Sequence, residues 1–99
     1  MRGIKELLQL VLDRVNELDT KEMGICFFVF DLEVWDIITK EECKAITDHL
    51  YSKENNPHKE GNTLPEEFLG YGTVNSLCFF KIGDWDIRRR YLSYLISKL

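Results

Sequence analysis

Three consecutive arginines, Arg88, Arg89 and Arg90, follow a tryptophan in the stretch Trp85-Asp86-Ile87-Arg88-Arg89-Arg90-Tyr91-Leu92. Guanidinium groups grip carboxylates and phosphates through paired N–H donors, and an aromatic ring offers a face on which a base can stack. With Phe80 just upstream of Trp85, the stretch reads as a candidate site for a small anionic, nucleotide-like ligand. On a helix, Arg88 falls in line with Leu92, Leu95 and Leu99, so its guanidinium runs along the apolar face while Arg89 and Arg90 splay to either side. Two roles for Arg88 stand open. It serves the ligand, or it is structural, either paired with Asp31 inside the most apolar part of the chain or snorkelling from the helix end. His58, Lys59 and Tyr71 lie in a long irregular stretch and offer further donors and a stacking face, which would make that stretch a lid.

Other chemistries find little support. His49 and His58 have neither Cys-x-x-Cys nor His-x-x-x-His company, and Asp84 and Asp86 splay apart on a helix, so neither a metal nor a cofactor is expected. Cys78 has no recognisable activating base, and the chain contains no Gly-x-Ser-x-Gly and no glycine-rich phosphate loop. The acidic pairs Glu41/Glu42 and Glu66/Glu67 sit where helix first turns are expected, and capping accounts for them without acid–base work. No nucleophile, base and oxyanion site come together, so binding is expected rather than catalysis.

The elements that must position these residues are read from hydrophobic spacing. Ile4, Leu7, Leu8, Val11, Val15 and Leu18 recur at helical intervals opposite Lys5, Glu6, Gln9, Asp13 and Arg14, which predicts an amphipathic helix. The most apolar stretch, Gly24 to Ile38, reads as a central buried helix starting near Thr20, with Asp19 and Glu22 as a capping pair. It also reads as a strand, because Cys26, Phe28, Phe30, Leu32 and Val34 alternate with other residues and its aromatic content suits a sheet. Thr39-Lys40-Glu41-Glu42 is a capping box that starts a helix to about Lys53, with Cys43, Ile46 and Leu50 inward. Lys53 to Gly72 loses periodicity and gains breakers, with one helical turn expected from Thr63 to Gly70. Ser76 to Ile82 is a short extended run, and Asp84 caps a last helix. The expected fold is therefore mainly α, with about four helices and a short β or irregular segment before the C-terminal one. The alternative is α+β, with residues 25–35 as a strand.

The chain has 99 residues, enough for a single domain, 1–99, that buries roughly two thirds of its unfolded surface. Its 13 Lys and Arg against 17 Asp and Glu give a net charge of -4, which argues against general nucleic-acid or membrane-surface binding. Cys26, Cys43 and Cys78 are odd in number and set among apolar residues, consistent with reduced thiols in a cytoplasmic protein. The aromatic residues Phe27, Phe28, Phe30, Trp35, Phe68, Tyr71, Phe79, Phe80 and Trp85 exceed what one thin core easily hides, so a homo-oligomer is expected.

The order Gly24-Ile25-Cys26, then Ile38-Thr39-Lys40-Glu41-Glu42, then Phe79-Phe80-Lys81-Ile82-Gly83-Asp84-Trp85 followed by arginine and Tyr91-Leu92 resembles small uncharacterised proteins of bacteriophages and prophages. The resemblance implies a cytoplasmic accessory protein made during infection, one that sequesters a host signalling molecule or docks on and inhibits a host protein. It carries over no catalytic residue.

Overall fold

A computed structural model describes residues 1–20, 29–57, 59–68 and 85–99, and for residues 18–20 and Trp85 the backbone alone. Helix α1 spans Ile4–Thr20, α2 Val29–Val34, α3 Lys40–Tyr51 and α4 Trp85–Ser97, with a single 3₁₀ turn at Glu66–Phe68. The fold is mainly helical, and among the described residues there is no strand. Helix α1 packs against both α4 and α3, and α2 packs against α3.

The core follows from the stripes. Leu7, Leu8, Val11 and Val15 of α1 are buried against Ile46 and Leu50 of α3 and Ile87, Tyr91, Leu92 and Leu95 of α4, with Val29, Leu32, Leu64 and Phe68 joining the same cluster. Each such aliphatic side chain contributes about 1.5–3 kcal/mol relative to exposure, so the α1 stripe is a main source of cohesion. Leu99, expected on the inward face of α4, is exposed because the helix has ended at Ser97.

Helix α3 begins as its sequence requires. Thr39 Oγ1 accepts from the Glu42 backbone N–H at 3.1 Å, and the Glu42 carboxylate accepts from the Thr39 N–H at 2.9 Å, completing the capping box. The same carboxylate receives Arg2: Nε and Nη2 donate at 2.9 Å each, and the Arg2 backbone N–H at 3.2 Å. Arg2 Nη2 also donates to the Ile37 carbonyl at 2.8 Å, so one arginine ties the start of the chain to the link between α2 and α3. The Arg2 hydrogen bonds, followed by that from Thr39, hold the buried Glu42 carboxyl well below the usual carboxylate range. At the other end of α3, the His49 carbonyl accepts from Ser52 N–H, Ser52 Oγ and Asn55 Nδ2, satisfying an acceptor the helix leaves open.

Helix α2 corrects the expectation of a central, buried helix running on to Ile38. It ends at Val34, and within Val29–Val34 only Val29 and Leu32 are buried. Its end is a Schellman motif: the Ile37 N–H donates to Leu32 O at 2.9 Å and the Asp36 N–H to Glu33 O at 3.0 Å, with Asp36 in the left-handed region at φ 59. Asp19, expected to cap that helix with Glu22, lies within α1, and Glu22 falls outside the described residues. The extended run Ser76 to Ile82 and the Asp84 cap lie outside the described residues.

Candidate functional site

The arginines expected to form an anion site are divided by α4. Arg88 is 2% exposed, on the buried side of the helix with Ile87, Tyr91, Leu92 and Leu95. Arg88 and Asp31 each take part in interactions, so neither is a free charge. Arg89 is partly exposed and lies 3.8 Å from Asp86. Arg90 bridges two carboxylates: Nε donates to Asp86 at 3.0 Å and Nη1 to Glu67 at 2.8 Å, fastening the 3₁₀ turn to α4. An incoming anion would compete with both acids for Arg90. Lys59 is exposed in the loop after α3, its backbone accepting from Asn62 Nδ2. Trp85 opens α4, while Phe80, Tyr71 and His58 fall outside the described residues.

Helix α2 presents a surface that its hydrophobic periodicity had assigned to the interior. Phe30 is 59% exposed, Val34 58% and Trp35 46%, while the alternate positions Val29 and Leu32 are buried. Phe30 and Val34 are four residues apart and so adjacent on one helix face, with Trp35 at its end. The Arg14 guanidinium of α1 lies 4.6 Å from the centroid of the Trp35 ring, a cation–π contact that fixes one side of the indole. Arg14 Nη1 also donates to Glu17 at 2.7 Å, so its charge is balanced locally.

Beside Trp35 lies a shallow cleft of about 170 Å³, lined among the described residues by Leu10, Asp13, Arg14, Glu17 and Ile37. Its floor is mainly aliphatic and its rim carries the two carboxylates. A second cleft of about 240 Å³ is lined by His49, Glu54, Asn55, Leu95, Lys98 and Leu99. There burial lowers the His49 pKa and the Glu54 carboxylate partly offsets the shift. Lys98 is drawn aside, its Nζ donating to Thr63 Oγ1 at 3.3 Å and sitting 5.2 Å from the Tyr94 ring centroid.

For catalysis the described residues offer weak material. Burial, then the Glu33 carboxylate, push the Cys43 thiol up, keeping it protonated and a poor nucleophile. Burial likewise raises the Tyr91 phenol, whose O–H donates to the Asn55 carbonyl at 2.6 Å. Among the described residues no cluster of three His, Cys, Asp or Glu side chains is placed to hold a metal, and no helix is long and apolar enough to cross a membrane. No family model, curated protein or solved structure matches this chain.

Proposed function

We propose that this chain works by binding, as an accessory protein that docks on a host protein through α2. The observation that carries the reading is the outward face of Phe30, Val34 and Trp35, three large apolar side chains exposed together on one turn and a half of helix. Apolar residues scattered singly over a surface need no explanation, but aromatic residues gathered on one rigid face are the usual anchors of protein interfaces. The likeness to phage accessory proteins makes a factor of the infected cell the natural partner. A cytoplasmic setting goes with that reading. The test compares capture from bacterial lysate by the wild-type chain and by Phe30→Ser and Trp35→Ser. A partner retained by the wild type and lost by both variants, with circular dichroism unchanged, supports docking. Equal retention by all three refutes it.

Capture of an anionic, nucleotide-like ligand is the second reading, favoured by the clustering of Arg89 and Arg90 on the first turns of α4 beside Trp85. Its difficulty is electrostatic, since Asp86 and Glu67 already occupy Arg90. A nucleotide seen by absorbance and mass spectrometry in protein purified from cells, and lost in Arg89→Ala/Arg90→Ala, would favour it over docking.

A further inference from the structure

The charges around α2 narrow what can cover it. From Val29 to Ile38 the chain carries Asp31, Glu33 and Asp36 and not one Lys or Arg; Asp31 is already engaged, so Glu33 and Asp36 give this stretch its acidic character. Across the cleft, Asp13 is exposed, and its Oδ1 accepts from Gln9 Nε2 at 2.9 Å. Arg14, which also lines the cleft, is paired with Glu17 and stacked on Trp35, so those two charges answer each other and Asp13 is left as the acid of the rim. The face is thus an apolar patch in an acidic frame. Next to it the cleft is lined by the aliphatic side chains of Leu10 and Ile37 and by Asp13, with the Arg14–Glu17 pair.

We infer that the occupant of this face is a basic amphipathic segment of a protein partner. Its apolar side chains cover Phe30, Val34 and Trp35, and one of its lysines or arginines lays an aliphatic stem between Leu10 and Ile37 with its charged head at Asp13. The inference rests on the docking reading above and adds the chemistry of the partner. Long cationic side chains suit such a cleft because their stems bury against apolar walls while their heads stay at a wet rim. Complementary charge also steers the encounter and excludes wrong partners. A second copy of this chain is a poorer occupant, because a two-fold contact would set Glu33 and Asp36 against their own images. An anionic lipid surface meets the same repulsion.

The probe is a synthetic leucine/lysine amphipathic helix carrying a fluorophore, with a leucine/glutamate peptide of equal length as control, followed by anisotropy at low and high salt. The lysine peptide is expected to bind and the glutamate peptide not to, with affinity falling as salt rises. Phe30→Ser is expected to weaken binding about tenfold and Asp13→Asn about threefold with a shallower salt dependence; both sites are exposed, so the fold is retained. Equal binding of the two peptides, or binding indifferent to both substitutions, overturns the inference. So does a dimer in analytical ultracentrifugation that Phe30→Ser dissolves, or binding of the wild-type chain to anionic vesicles through the same face. If the lysine peptide fails while Phe30-dependent capture from lysate persists, the basic partner is wrong and docking stands. Loss of Phe30-dependent capture removes the docking reading itself.

Discussion

Asp36 is the one non-glycine residue with positive φ among the described residues, and replacing it by glycine should make the protein more stable. The left-handed conformation costs an L-residue about 1–2 kcal/mol, toward the low end for aspartate, whose short polar side chain tolerates it. Glycine removes that cost but gives back about 0.4–1 kcal/mol by loosening the unfolded chain. Taking a negative charge away from the C-terminal end of α2 adds about 0.3 kcal/mol. The balance is a gain of about 0.5 kcal/mol, or roughly 2–4 °C in Tm for a chain of this size. Asp36→Ala keeps the positive φ without the polar side chain and should lose about 0.5–1 kcal/mol. Thermal and urea melts of the three proteins give the comparison. A glycine variant less stable than the parent, or an alanine variant level with the glycine one, would refute the Schellman assignment at Asp36. The same glycine removes one acid from the rim of α2, so it should stabilise the fold while weakening the basic peptide.

Other substitutions probe the frame that holds this face. Tyr91→Phe removes the donor to the buried Asn55 carbonyl and should cost about 1–2 kcal/mol in urea unfolding, with the Phe68 ring contact kept. Arg88→Ala, at a buried arginine held by its interactions, should cost about 3–5 kcal/mol, whereas Arg90→Ala, at a half-exposed ion pair, should stay within about 1 kcal/mol. Glu42 has a folded pKa below its unfolded value of 4.5, so its contribution is fully present above about pH 4.5 and is lost as pH falls below it. Tm should therefore drop through the acid range in the parent and show a shallower slope in Glu42→Gln. His49 acts in the same direction at higher pH: its folded pKa lies below 6.5, so acidification through that value should also lower stability, and His49→Gln should remove that part of the slope.

What could be read from sequence was local. The Thr39/Glu42 capping box lies within four residues, and both of its hydrogen bonds form. The α1 stripe needs only helical spacing, and Leu7, Leu8, Val11 and Val15 are buried as that spacing requires. Arg88 was legible as a charge on an apolar face for the same reason, and it is buried. The partners of Arg90 were half legible: Asp86 is one turn away, while Glu67 is brought in by a tertiary contact across 23 residues. The exposure of Phe30, Val34 and Trp35 was not legible, because this stretch is apolar nearly all round when read as a helix and its spacing does not single out an outward side. Arg2 was equally silent, since its partner Glu42 lies 40 residues on.

The account's central claim is that α2 is the surface through which this protein meets its partner. A photo-cross-linking phenylalanine analogue placed at position 30 and, separately, at the exposed Ser93 of α4 tests it inside bacterial cells. The account predicts a discrete protein adduct from position 30, absent from position 93, and abolished at position 30 when Trp35→Glu is introduced alongside. No adduct from position 30, or the same adduct from both positions, would contradict it.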